Sequence, residues 1–335
     1  MPSSKHALTQ VIATRRTRRR LTKGERPSFL TSRIIDTCKD CDVVGNGVAL
    51  TIYVDDLTQQ SDRTEMVDDR LPLGPGSMTW SLFGDQRLIL LAFWAGTLQV
   101  MHPSISAALV EHSVVFENEI ARLWRSAEPI QHAVYCSDDS IAHKIRDYHV
   151  DIKGQRPDGQ RYHALSPEVY YWAHATFFYS QIVCAEYFGT PLTLGEKRRL
   201  YRESKTWYAR YGVSDRCQPA TYDDFVVYWD DVLANTLQRT EVIERSLVIN
   251  GRWHDVPLPG INPVLWKIAY WPINKVIRFV TRGTMPPAAR ETLGWEWSDR
   301  DERRLRLFAR VVKTVFALSG DRIRFMPLPA EAAAA

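Results

Sequence analysis

The chain has no long hydrophobic run. Its longest apolar stretch, Leu88 to Met101, is interrupted by Gly96, Thr97 and Gln99 and closed by His102-Pro103. It falls short of the ~20 apolar residues that a membrane-spanning helix needs and reads as a buried helix. Cysteine is scarce, with five in 335 residues. An odd and sparse count rules out a disulfide framework and suits a reducing compartment. The one Cys-x-x-Cys, Cys38-Lys39-Asp40-Cys41, has no second pair and no paired histidines beside it, so it lacks the ligands of a zinc site. With 17 glycines and 18 prolines, no large part is low-complexity. The signatures of common nucleotide and hydrolase sites are also missing: no P-loop, no Gly-x-Gly-x-x-Gly after a strand, no Gly-x-Ser-x-Gly elbow and no His-Glu-x-x-His.

Nor is there a large excess of one charge. Lys and Arg number 43 against 39 Asp and Glu, a net of +4. The distribution is uneven, because residues 1–26 hold eight Lys/Arg and one Glu. The remainder is slightly acidic, which excludes a basic nucleic-acid-binding body, and no nucleic acid partner is expected. The stretch Arg15, Arg16, Arg18, Arg19, Arg20 and Lys23 suits either a solvated tail or contact with an anionic surface. No apolar run follows these arginines, so no secretory signal is recognised. The expectation is a cytoplasmic protein, with peripheral membrane contact through the basic N-terminus.

What is present fits a globular protein: 45% of residues are hydrophobic and 24% charged. The expected organisation is a basic flexible lead over residues 1–30 and a single helical domain over 31–330. Val48–Val54 reads as a short strand after the turn Gly45-Asn46-Gly47. Beyond Ser77, helix signals recur. Pro103 suits the first position of a helix through Glu117. Ser137-Asp138-Asp139 caps one running to about Ile152, stopped by Gly154 and the turn Arg156-Pro157-Asp158-Gly159. Ser166-Pro167 starts a long aromatic helix to about Phe188. Thr193-Leu194-Gly195-Glu196 is a capping box for a helix to about Tyr211, ended by Gly212. Thr221-Tyr222-Asp223-Asp224 opens another to about Gln238. After a break at 255–263, helices follow over about 264–281 and 298–319. Few strand signals remain, and the expected fold is an all-α, multi-helix bundle with a short irregular N-terminal segment.

The residues able to carry chemistry are histidines and arginines beside apolar helices. Arg146 and His149 are three apart and share a helix face. A histidine so placed can ligate haem iron, and an arginine one turn away can pair with a propionate; alternatively, His149 is a satisfied structural residue. Arg122, Arg125 and Ser126 share another face, able to hold a carboxylate pair or an oxygen species, or simply exposed to water. His102 follows a nearly continuous apolar helix. His174 stands among Tyr170, Tyr171, Trp172, Phe177, Phe178 and Tyr179. Each of these two is either a hydrogen-bonded core residue or a pocket residue. Glu203 could accept from one of them. His102, His149, His174 and Glu203 together could form a non-haem iron site, since imidazole and carboxylate suit iron.

In order along the chain stand Gly84-Asp85, Gln99-x-x-His102-Pro103, His112-Ser113, Arg122-Leu123-x-Arg125-Ser126, Arg146-x-x-His149 and Gly154. Tyr162-His163-Ala164-Leu165-x-Pro167, Trp172-x-His174-Ala175-Thr176, Pro191-Leu192, Tyr201-x-Glu203 and Tyr211-Gly212-Val213 follow. This series resembles the MpaB-type oxygenase family, also called the rubber oxygenase catalytic domain, over about residues 70–240. A weaker tail lies at Met285-Pro286-Pro287-x-x-Arg290 and Trp295-x-Trp297. The resemblance implies a globin-like helical domain. It also implies, from the latex-clearing proteins of the family, a b-type haem and oxidative cleavage of polyisoprene double bonds with dioxygen. Their proximal histidine in Arg-x-x-His matches Arg146 and His149, and their distal Arg-x-x-Lys-Thr aligns with Arg122-x-x-Arg125-Ser126. Arg125 in place of lysine excludes a lysine-type distal ligand, because arginine stays protonated. The chain looks closer to the MpaB branch, linked to oxidative cleavage of prenyl chains at membranes.

Three expectations follow. The first is a haem b-dependent oxygenase acting on a hydrophobic, isoprenoid- or lipid-like small molecule. His149 would be its iron ligand and Arg146 a propionate partner. Arg122, Arg125 and Ser126 would sit distally, with His102 and His174 lining the pocket. The second is the non-haem iron oxygenase. The third is a non-catalytic binder of an apolar ligand.

Overall fold

A computed structural model describes residues 69–113, 116, 119–246 and 262–326. These fall within one compact unit, Asp68–Ala335. The expected basic lead, the strand at 48–54 and the Cys38/Cys41 pair lie outside the described residues. The fold is all-α. A short α1 (Met78–Phe83) is followed by a 3-10 segment (Gln86–Leu91), α2 (Ala92–Val100), α3 (Pro103–His112), α4 (Glu119–Tyr135) and α5 (Ser140–Asp147). The hairpin of β1 (Lys153–Gln155) and β2 (Arg161–His163) then intervenes. The chain continues through α6 (Pro167–Phe188), α7 (Leu194–Ala209), α8 (Tyr222–Asn235) and α9 (Glu241–Arg245). The last elements are α10 (Pro263–Thr284), α11 (Pro287–Leu293), α12 (Asp299–Leu318) and α13 (Asp321–Arg324).

The organising element is α6. Sixteen of its 22 residues are buried, on nearly every side, as befits a helix that is apolar all round. It packs against α1, α2, α7, α12 and the 3-10 segment. Ser166 and Pro167 start it where the sequence places the start. Thr193/Glu196 and Thr221/Asp224 form the reciprocal capping boxes read from the sequence, and Ser298/Asp301 adds a third. Each box satisfies two backbone N–H groups that a helix start otherwise leaves unpaired. Aromatic side chains fill the core, and two indoles also tie elements together. Trp172 Nε1 donates to the Leu98 carbonyl at 3.1 Å, and Trp94 Nε1 to the Thr284 carbonyl at 2.9 Å. At Gly283 a Cβ would come within 2.5 Å of the Trp297 ring, so only glycine lets α10 and that ring approach so closely.

Three expectations need correction. The apolar run from Leu88 is not one helix. It is a 3-10 segment started by Asp85, whose carboxylate accepts from Arg87 N, then α2, and the chain bends by 95° into α3. The helix from Pro103 ends at His112, where Ser113 turns to extended backbone before two β-branched valines. The helix that starts after Asp139, whose side chain makes no capping bond, ends at Asp147 rather than Ile152. Its end tightens, His149 N bonding Arg146 O at 2.8 Å, and the chain then enters the hairpin, with Gly154 opposite Tyr162. Two three-residue strands are too short to leave an alternating pattern. No single helix among the described residues is long and apolar enough to cross a membrane.

Candidate functional site

His149 stands in the turn that ends α5. Its Nδ1 lies 2.7 Å from the Ile145 carbonyl oxygen. A carbonyl can only accept, so Nδ1 carries the proton and Nε2 keeps the lone pair. This is the arrangement that orients a metal-binding imidazole. The ring is half-buried and meets Tyr170 edge to face, with centroids 5.7 Å apart. Arg146, one turn earlier, bonds Asp147 through Nε and Nη2 at 2.8 and 2.7 Å. Its guanidinium also lies against Gly212, which adopts a left-handed φ of 62°. A side chain there would be strained and would press on Arg146. The Tyr211-Gly212 turn thus shapes the ground on which Arg146 rests.

Tyr170 links His149 to the interior. Its ring packs on Tyr211 at 5.5 Å and Tyr208 at 6.2 Å. Behind them lies His174, fully enclosed, with Trp207 at 4.8 Å, Tyr208 at 5.1 Å and Tyr171 at 6.1 Å. His174 Nε2 is 3.2 Å from Ser204 Oγ, and its Nδ1 is buried without a partner. Burial drives its pKa down to about 3, against a small opposing effect of Ser204, so the ring is neutral. Burial also raises the phenols of Tyr170, Tyr208 and Tyr211 well above their ordinary range, so each keeps its proton. His149, Arg146 and His174 are therefore gathered around one tyrosine cluster, with the two histidines separated by Tyr170 and its neighbours.

The other candidates fall elsewhere. His102 is buried and caps α3, its Nδ1 accepting from Ser104 N at 3.2 Å. Burial, with Arg156 adding, lowers its pKa to about 4. With Nδ1 used as an acceptor, the proton sits on Nε2, and neither nitrogen has a lone pair left for iron. Glu203 does not meet a histidine. Its Oε2 accepts from Thr79 N at 2.8 Å and its Oε1 from Arg199 Nε at 3.1 Å, so it secures the start of α1. The expected grouping of His102, His149, His174 and Glu203 is not formed. Among the described residues no three His, Cys, Asp or Glu lie together as metal ligands would. Arg122, Arg125 and Ser126 lie on α4 at helical spacing. Ser126 is exposed, and the side chains of Arg122 and Arg125 lie outside the described residues. The end of α4 is held by Arg210, which donates to the carbonyls of Ala133 and Cys136 at 3.2 and 2.6 Å.

The family model described as ER-bound oxygenase mpaB/B'/Rubber oxygenase, catalytic domain, matches residues 80–314. The chain belongs to this family. No curated protein and no solved structure matches it. Membership in the mpaB/rubber oxygenase family makes the chain an oxygenase-type oxidoreductase. The match also runs well past residue 240, where the sequence motifs thin out, so α10 and α11 and most of α12 belong to the oxygenase domain itself.

Sequence reasoning missed the partners rather than the principals. Ser204, which holds His174, follows Glu203 directly, yet nothing in its spacing marks it. The Ile145 carbonyl is backbone and leaves no trace in a motif. Tyr211-Gly212 stood in the family pattern without a role. It supplies both a ring against Tyr170 and the turn against Arg146.

Proposed function

We propose that the chain is a haem-dependent oxygenase that acts with dioxygen on an apolar, isoprenoid- or lipid-like substrate. One observation carries this reading: the Nδ1–H of His149 is committed to the Ile145 carbonyl at 2.7 Å, which turns the lone pair of Nε2 toward a ligand's role. The donor set thus fits haem iron. Haem b would supply the centre at which dioxygen is activated; the chain supplies everything around it. His149 would hold the iron through Nε2. Arg146 would exchange its exposed carboxylate partner Asp147 for a propionate. Arg122 and Arg125 stay cationic at any working pH, so they can stabilise negative charge developing on oxygen but cannot ligate iron or take up a proton. The tyrosines around Tyr170 and the neutral His174 would keep water out and favour an apolar substrate.

The test is the visible spectrum of the full chain produced with ample haem precursor, before and after dithionite. A Soret band that shifts on reduction, and is lost or altered in His149→Ala, is the expected result. An unchanged spectrum in that variant, or no Soret band after adding hemin to the wild type, would overturn the proposal.

A further inference from the structure

Helix α10 is apolar on two opposite sides. One side packs inward through Trp266, Tyr270, Val280 and Thr281. On the other, Val264, Leu265, Ile268 and Trp271 are 69%, 61%, 72% and 62% exposed. The spacing of 264, 268 and 271 sets three of them in one line along the helix, with Leu265 beside it. A surface helix ordinarily covers that side with polar residues. Charge adds a second, independent feature. The helix carries Lys267, Lys275, Arg278 and Arg282 and not one Asp or Glu. Three of these cations lie in its second half, and Lys275 Nζ sits 3.7 Å from the Trp271 ring centroid, at the edge of the open apolar side.

A cleft between α2 and α10 supplies the third feature. It is small, open to solvent and mostly apolar, lined by Phe93, Thr97, Ile277, Arg278, Thr281, Arg282 and Trp295. Of its lining residues, Thr281 and Arg282 have a hydroxyl and an Nε–H that are buried without a hydrogen-bond partner, Thr281 being only 5% exposed. Two adjacent buried donors without an acceptor are costly unless something supplies one. A phosphate group offers acceptors to donors of this kind, and its charge suits the guanidinium.

We propose that α10 is an interfacial helix that seats the protein on an anionic lipid bilayer. Its open apolar side enters the acyl boundary, and the cleft takes a lipid phosphate. Apolar residues with tryptophan on one side, flanked by lysine and arginine, are the chemistry of such helices. A second copy of the chain would bring four more cations against the same helix. The inference does not depend on the haem reading.

The test is co-sedimentation of the full chain with vesicles of phosphatidylcholine, with and without phosphatidylserine. Circular dichroism and thermal midpoints would show that each variant folds. The wild type is expected to bind the phosphatidylserine vesicles. Ile268→Asn/Trp271→Asn should lower partitioning at least about ten-fold, and Ile268→Asn alone serves if the double variant does not fold. Arg282→Gln should weaken binding to the phosphatidylserine vesicles several-fold, and more than to phosphatidylcholine alone. No binding by the wild type would overturn the proposal. So would undiminished binding by the apolar variants, which would place the contact elsewhere, as in residues 1–26, or leave α10 to a second copy or another segment. If inorganic phosphate raised the wild-type midpoint but not that of Arg282→Gln, while vesicles were ignored, the cleft would be a free-anion site and the bilayer reading would fall.

Discussion

At the scale of single residues, the two buried histidines give the protein a built-in acid sensitivity. Burial holds His174 at about 3 and His102 at about 4, whereas in the unfolded chain each titrates near 6.5. Above about pH 6.5 both states are neutral and the full stability is present. As the pH falls toward the folded values, the unfolded chain takes up protons that the native state refuses, and stability is lost. At about pH 5 the loss amounts to about 2 kcal/mol for each histidine. His174→Gln should therefore shrink the difference in unfolding free energy between about pH 7 and pH 5 by about 2 kcal/mol, measured by urea denaturation. An identical pH dependence in the variant would mean that His174 is protonated in the folded protein. The same burial makes His174 an unpromising proton acceptor at neutral pH, and its unpartnered Nδ1 is better suited to a neutral contact.

At the scale of elements, Glu203 shows how a residue that looks chemical in sequence can be architectural in the fold. Tyr-x-Glu suggests a carboxylate for a metal or a histidine. Instead, the carboxylate is buried on α7, receives the Thr79 N–H of α1, and is balanced by the exposed Arg199. It satisfies one of the backbone donors at the start of a short helix. Glu203→Ala should destabilise the protein by about 2–3 kcal/mol, because a buried backbone donor loses its acceptor. The iron content and visible spectrum of the protein should not change. Loss of iron from a variant that remains folded would restore the ligand role and refute the architectural one.

At the scale of the whole molecule, the sequence shows most plainly what is local. Ser166-Pro167, Thr193/Glu196 and Thr221/Asp224 mark helix starts because the capping atoms are within three residues of the groups they satisfy. Arg146 and His149 can be read together for the same reason. Contacts between distant positions leave no such mark. His174 and Ser204 are 30 residues apart, and Glu203 and Thr79 are 124 apart. The hairpin was hidden by its brevity, and α10 by its composition. A helix with apolar residues on both sides reads as core, and only the packing shows that one side is left open. The 95° bend between α2 and α3 was hidden too, because an uninterrupted apolar run says nothing about direction.

The enclosure of α6 has a consequence in time as well as in space. Helices α1, α2, α7 and α12 and the 3-10 segment cover it on its several sides, so no partial opening can admit water to its middle turns. Their amides should exchange with heavy water only when the whole domain unfolds, and their rates then measure its global stability. The first turns of α10, open on one side, should exchange by local fraying many times faster. Hydrogen exchange followed by mass spectrometry would order the two. Equal rates would mean that the domain has no privileged centre and opens as one piece.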